Sequence, residues 1–110
     1  MASQRKDVVQ GTLDLLVLRI IAAQPMRGWG VMQRLRHLTD DVFQVTPGSL
    51  FPALRRIEEN GWASGEWGLS ENNRKVRYYT ITKAGQKQLA REKQNWKLIT
   101  TAVEKVLEGA

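Results

Sequence analysis

The stretch PGSLFPALRRIEENG (residues 47–61) decides the fold of this 110-residue chain. Leu50, Leu54 and Ile57 recur at helical spacing, so they predict the buried face of a helix over about residues 47–60. Two adjacent arginines lie on its other side, where they suit bidentate contacts to guanine or phosphate. That outer face carries the side chains we expect to meet a partner: Ser49, Phe51, Arg55 and Arg56.

The sequence leaves the first residue of this helix open. Thr46 can cap it with Pro47 at the first helical position, or Ser49 can cap it three residues later. Pro52 favours the later start, since proline is tolerated only in the first turn of a helix.

A β-hairpin is predicted directly after this helix. Residues 62–67 and 76–81 are rich in aromatic and β-branched side chains, and residues 68–73 have the composition of a connecting loop. On the second strand, Tyr79 and Ile81 are expected to face the core. Five residues at or near the tip of this hairpin are expected to contact nucleic acid: Asn72, Asn73, Arg74, Lys75 and Arg77. The three cationic side chains can contact phosphates, and the two amide side chains can reach base edges.

Two further helices precede the quoted stretch. Residues 13–23 repeat apolar side chains at helical spacing after Thr12, a suitable N-cap, and Pro25 ends the run. A short turn at residues 25–28 leads into a second helix of about three turns. Three helices followed by a hairpin is the order of a winged helix-turn-helix, so the predicted fold class is α+β, mainly α.

The C-terminal part predicts one long helix, capped by Thr82 and reaching about Glu108. Its apolar residues follow a heptad-like spacing that so small a domain cannot bury along its whole length. We therefore divide the chain into a winged helix-turn-helix DNA-binding domain (residues 1–81) and a dimerisation helix (residues 82–110). The expected homodimer seam consists of Leu89, Trp96, Ile99, Val103 and Val106.

Composition agrees with a nucleic-acid binder and argues against catalysis. The net charge is +6, with 17 Lys and Arg against 11 Asp and Glu, which favours a polyanionic partner. The chain has no cysteine and one histidine, His37, so we expect no metal, no cofactor and no enzyme activity. No targeting signal is visible, and the apolar run at residues 13–23 is too short to cross a bilayer, so we expect a cytoplasmic protein.

Three stretches, in this order, resemble transcriptional regulators of the PadR type: QGTLDLLVL (residues 10–18), GSLFPALRRIE (residues 48–58) and, with several variable positions, EWGLSENNRKVRYYTITKAG (residues 66–85). The resemblance covers about residues 8–90 and implies a dimeric winged-helix repressor. It also implies control of a gene beside the regulator's own and, in some cases, release by small aromatic compounds. A single C-terminal helix is similar to the smaller subfamily. Phe51 stands where the family usually has tyrosine, which weakens its claim as a phosphate contact.

Two functional hypotheses follow. The first is a repressor that binds double-stranded DNA as a homodimer at an inverted repeat. On the expected seam, Trp96 is either a packed interface aromatic or a flat platform, doubled by the two-fold axis, for a small aromatic effector. The second is a winged-helix module that binds an acidic protein and contacts no operator. The two basic patches on the third helix and the hairpin tip favour the first hypothesis.

Overall fold

The structure is a computed structural model that describes residues 6–7 and 12–109. Four helices form most of it: α1 (Leu13–Ala23), α2 (Gly28–Leu38), α3 (Pro47–Glu59) and α4 (Lys83–Gly109). The strands are β1 (Lys6–Asp7), β2 (Met26–Arg27), β3 (Phe43–Gln44), β4 (Ala63–Leu69) and β5 (Lys75–Ile81). The predicted fold class, mainly helical with a winged helix-turn-helix and a long C-terminal helix, is confirmed.

The core lies where α1, α2 and α3 meet one face of the hairpin. Its fully buried side chains come from all three helices, and burying each one stabilises the fold by about 1.5–3 kcal/mol. Tyr79 closes the core from the hairpin side at 7% exposure, with Ile81 packed against it, as the strand alternation predicts. The largest fully buried side chains are Val17, Leu18, Ile21, Val31, Leu50, Leu54 and Ile57.

The hairpin of β4 and β5, here called the wing, belongs to a three-stranded antiparallel sheet of order β2-β5-β4. β2 occupies part of the segment for which the sequence predicts only a turn, and it pairs Met26 with Tyr79 and Arg27 with Tyr78. The residues that lead into α2 are thereby fixed to the wing. A second, parallel pair joins β1 to β3. Both short pairs escaped sequence analysis because two residues carry no measurable alternation.

The favoured later start of α3 is wrong. Thr46 caps the helix: its hydroxyl accepts a hydrogen bond from the backbone N–H of Ser49 at 3.3 Å, and Pro47 takes the first helical position. Pro52 therefore lies inside the helix and cannot donate to the carbonyl of Gly48. Pro52 and Gly48 are both exposed, so water can donate a hydrogen bond to the Gly48 carbonyl. The internal proline therefore destabilises the helix less than it would in the core.

α4 begins where the sequence predicts. The Thr82 hydroxyl accepts a hydrogen bond from the N–H of Gly85 at 3.0 Å and donates to the carbonyl of Gly61 at 2.6 Å. Leu89 is 7% exposed and belongs to the core of its own chain, so its assignment to the dimer seam is corrected. The heptad spacing cannot distinguish a side chain that packs on α1 from one that packs on a second chain. Among the described residues, no helix is long and apolar enough to cross a membrane.

Candidate nucleic-acid interface

The outer face of α3 leaves Ser49, Phe51 and Arg55 exposed. Arg55 approaches Glu59 at 3.7 Å, but their side chains are 81% and 68% exposed. A pair so open to solvent contributes little to stability, so Arg55 can exchange Glu59 for a phosphate or a base edge at low cost.

Arg56 has a different environment from its neighbour. Its Nη2 donates to Oδ1 of Asp14 at 2.6 Å, and the Asp14 side chain is only 21% exposed. The pair ties the last turns of α3 to the first turn of α1. A DNA contact by Arg56 would have to compete with this bond, so the two arginines that look equivalent in the sequence are not equivalent in the fold.

Ser70 organises the tip of the wing. It is 7% exposed, and its hydroxyl accepts hydrogen bonds from the backbone N–H groups of Asn72 and Arg74 at 3.4 and 3.3 Å. Asn73 takes a left-handed conformation with φ of 59°, which asparagine tolerates well in turns. The resulting tight turn leaves Asn72, Asn73, Arg74 and Lys75 exposed together.

Arg77 does not join this exposed group. It is half-buried, and it donates from Nε and Nη2 to the two carboxylate oxygens of Glu58 at 3.3 and 2.5 Å. The hydrogen bond from Arg77 lowers the pKa of Glu58, and the same bond raises the pKa of Arg77. A bidentate pair is geometrically specific, so Glu58 and Arg77 form a strut, called here the α3–wing strut, that sets the wing against α3.

The strut depends on a glycine in the neighbouring strand. A Cβ at Gly65 would lie 2.5 Å from Nε of Arg77, so a side chain there would displace the guanidinium from its present position. Arg77 also lies over the ring of Trp67, with its Cζ 5.1 Å from the ring centroid. Sequence analysis missed Glu58 as a partner. Glu58 and Arg77 lie 19 residues apart on different elements, so no local spacing in the sequence indicates the pair.

Phe51 packs against the backbone of α2 while leaving 47% of its surface exposed. A Cβ at Gly28 would lie 2.7 Å from Cε1 of Phe51, so the missing side chain at residue 28 admits the ring. Trp29 and Trp67 are 54% and 61% exposed near this ring.

The remaining predicted seam residues lie along α4 as an exposed apolar stripe. Only Gly85 and Leu89 of this 27-residue helix are buried. Among residues 93–109, every one except Thr100 is exposed. We call the following four residues the α4 stripe: Trp96, Ile99, Val103 and Val106, which are 45%, 45%, 50% and 65% exposed. Among the described residues, no cluster of three or more His, Asp or Glu side chains could hold a metal ion.

A three-helix core, a wing and a long C-terminal helix define the class of winged-helix transcriptional regulators. Residues 17–91 match the sequence profile described as the transcriptional regulator PadR-like family. The chain belongs to this family and is a DNA-binding transcriptional regulator. Regulators of this kind are generally not enzymes.

Solved structures of similar proteins agree with this assignment. A PadR-like transcriptional regulator from Bacillus cereus is 30% identical, with a TM-score of 0.76 over 92% of this chain and 96% of that one. A PadR family regulator from Eggerthella lenta is 28% identical, with a TM-score of 0.78 over 92% and 86% of the two chains. An uncharacterized protein of Lysinibacillus sphaericus is 26% identical over 105 residues, 96% of both chains.

Proposed function

We propose that the protein is a homodimeric repressor that binds an inverted-repeat operator. The observation that carries the proposal is the α4 stripe, an apolar row left without intrachain cover on a helix that continues well beyond the core. Its members are spaced three, four and three residues apart, so they lie on one face of the helix. Such a row, flanked by polar side chains, is typical of a helix that pairs with a second copy.

A dimer built on this stripe would carry two copies of α3. In dimeric winged helices the recognition helices contact successive major grooves about 34 Å apart, which requires a palindromic site. Two half-sites related by the same two-fold axis as the protein would form the operator.

We assign the DNA contacts to exposed side chains that have no short ion pair within the fold, and not to Arg56 and Arg77, which pair with Asp14 and Glu58. Ser49 and Arg55 would enter the major groove with α3, and Phe51 would contact a thymine methyl there. The wing tip would contact the adjacent DNA backbone through Asn72, Asn73, Arg74 and Lys75. Arg56 and Arg77 would act through Asp14 and Glu58, holding α3 and the wing in place.

The dimer would also bring the two Trp96 rings towards the two-fold axis. Trp96 is 45% exposed, so a flat aromatic effector can stack on it. A shift of α4 at this point would change the spacing of the two α3 helices and hence the affinity for the operator.

Fluorescence anisotropy with the DNA upstream of the protein's own gene tests the proposal. Arg55, Arg74 and Lys75 supply three phosphate-seeking cations per protomer, six per dimer. Six such contacts lose about a thousandfold in affinity between 50 and 200 mM salt. We expect this steep loss, resistance to random competitor DNA, and a smaller salt slope for Arg74→Ala than for the exposed α4 control Lys83→Ala. Weak binding equal to that of random DNA, with the dimer intact, would instead favour a protein-interaction module.

A further inference from the structure

The two faces of the wing differ in their chemistry. Side chains alternate along a strand, so Trp67 and Leu69 share one face of β4. Their cross-strand partners on β5 are Arg77 and Lys75, which lie on the same face as the buried Tyr79. Beyond the core, this face therefore presents two apolar side chains beside two cations. We call these four residues, 67, 69, 75 and 77, the inner wing face.

The acidic residues of the hairpin lie away from the inner wing face. Residues 63–81 contain two of them, and Glu66 alternates onto the opposite face of β4. Glu71 lies next to Tyr78 on that opposite side, where it accepts a hydrogen bond from Nη2 of Arg27 at 3.2 Å. An apolar surface flanked by cations and free of hairpin carboxylates is complementary to DNA, whose stacked base pairs lie between two anionic backbones.

Leu69 is the most exposed apolar side chain of the wing, at 65%. It is the last residue of β4, and its backbone is held on both sides of the turn. The hydroxyl of Tyr78 donates to the carbonyl of Leu69 at 3.4 Å, and the next N–H, that of Ser70, donates to the carbonyl of Arg74 at 2.9 Å. Leu69 is thus an apolar side chain on an ordered tip, and little conformational entropy is lost when it is buried in a complex.

The cation opposite Leu69 is available to a phosphate. Lys75 forms no ion pair within the described part of the chain, and its Nζ lies 5.0 Å from the centroid of the Trp67 ring. Arg77, by contrast, is engaged by Glu58 in the α3–wing strut. Lys75 can therefore hold the DNA backbone beside Leu69 while the strut holds the wing.

From this arrangement we infer that Leu69 is a wedge that enters the minor groove of the operator, separates two adjacent base pairs and kinks the duplex. With α3 in the major groove, the wing beside it would reach the adjacent minor groove. Thymine methyl groups lie in the major groove, so an apolar side chain in the minor groove can bury its surface only against sugars and the faces of unstacked bases. Leucine is one of the side chains that DNA-bending proteins insert in this way.

The wedge rests on the proposed function and adds a source of specificity to it. Pyrimidine–purine steps such as TA unstack easily, whereas A-tracts are stiff. The protein would therefore select a flexible step under each wing, at bases that no side chain reads by hydrogen bonds. A dimer would carry two wedges and kink the operator once in each half-site.

Energy transfer between dyes at the two ends of an operator duplex measures the kink. The duplex is one selected from a random DNA pool, and the protein is the full chain. We expect the unaltered chain to bend it by at least about 20° per half-site, and Leu69→Gln to bind it and leave it nearly straight. The matched control is Leu98→Gln, at an exposed leucine of α4, which should bend the duplex as the unaltered chain does.

Permanganate, which oxidises unstacked thymines, tests the wedge without any variant. The unaltered chain should make one thymine in each half-site hyperreactive. Replacing that step by AA should weaken binding of the unaltered chain at least about fivefold, measured by anisotropy. Leu69→Gln should bind the two operators equally, whereas Leu69→Met, which keeps an apolar wedge, should retain the preference.

Circular dichroism establishes that each variant is folded, which the exposure of Leu69 favours. A straight duplex with no hyperreactive thymine, bound tightly by the unaltered chain, would overturn the wedge and leave the proposed function intact. The same bend or the same step preference in Leu69→Gln would also overturn it. Failure of the unaltered chain to select any DNA would refute the proposed function instead.

Discussion

The adjacent arginines of α3, Arg55 and Arg56, differ in the contacts they make within the fold. Arg55 is 81% exposed and makes only a long, solvent-screened contact with Glu59. Arg56 is bonded to Asp14, a residue of another helix. Arg55 is therefore free to contact DNA, whereas Arg56 is already paired with a carboxylate of another helix.

We expect Arg55→Ala to weaken operator binding by about 1–3 kcal/mol while leaving thermal stability unchanged, because it removes a DNA contact and no structural one. Arg56→Ala should show the opposite balance, with a lower Tm and a stability loss of up to about 1 kcal/mol for a partly exposed pair. Anisotropy and thermal denaturation of both variants measure the two effects. Equal loss of DNA affinity in both, at unchanged Tm, would contradict this division.

The α3–wing strut gives stability a dependence on pH. Its hydrogen bonds from Arg77 lower the pKa of Glu58 below the unfolded value. A depressed carboxyl pKa contributes stability that is present above the unfolded pKa and is lost as the pH falls through the folded pKa. We expect the difference in Tm between the unaltered chain and Glu58→Gln to be largest at pH 7. It should shrink as the pH falls below about 4.3, the ordinary pKa of glutamate.

The neighbouring residue supplies the control for that experiment. Glu59 is 68% exposed and its Arg55 contact is long, so Glu59→Gln should change Tm little at any pH. A difference between the unaltered chain and Glu58→Gln that stays constant from pH 7 to pH 3 would show that ionisation of Glu58 does not stabilise the fold.

Sequence analysis could place these charged residues on faces but could not pair them. Asp14 and Arg56 are 42 residues apart, and Glu58 and Arg77 are 19 apart. Helical spacing reveals only partners within about one turn of the same helix. Pairs between elements depend on how the helices and the wing pack, and that information is not local.

At the scale of elements, caps and periodicity predicted the helices well. Thr12 and Thr82 precede α1 and α4 as expected. The Thr82 hydroxyl caps α4, whereas the Thr12 side chain forms no capping hydrogen bond with α1. The error at α3 came from weighting Pro52 above the combination of Thr46 and Pro47. An internal proline on an exposed face costs less than one in a buried helix, and the spacing of Leu50, Leu54 and Ile57 already places Pro52 on the opposite, exposed face.

The junction between the wing and α4 depends on Gly85. A Cβ there would lie 2.0 Å from the carbonyl oxygen of Trp62, and backbone cannot move aside as a side chain can. We expect Gly85→Ala to lower the free energy of unfolding by about 1–3 kcal/mol, measured by urea denaturation. Gly48→Ala is the matched control: its nearest neighbour would lie at 3.8 Å, so helix propensity should leave it neutral or stabilising. Equal effects of the two substitutions would contradict the close approach.

At the scale of the whole molecule, α4 makes the chain elongated. The radius of gyration is 15.5 Å, whereas a compact chain of this length has about 13 Å. Sequence analysis predicted both the length of α4 and most of its exposed stripe. It erred at Leu89, because a heptad pattern describes an apolar face and not the surface that covers it.

The stripe makes a direct prediction about assembly. We expect Val103→Glu to yield a monomer by sedimentation velocity, since a charge in the middle of the seam would be buried without a partner. Thr101→Glu, on the opposite side of α4 and also exposed, should leave the dimer intact. The monomeric variant should retain its Tm transition for the core and lose tight operator binding. A dimer that survives Val103→Glu would place the seam elsewhere.

Selection of bound sequences from a random DNA pool tests the central claim most directly, because it needs no knowledge of the target gene. A homodimer joined along α4 should enrich an inverted repeat whose half-sites are about ten base pairs apart, centre to centre. The Val103→Glu variant should enrich no such repeat. Enrichment of a single asymmetric site by the unaltered chain, or of no site at all, would contradict a symmetric operator-binding dimer.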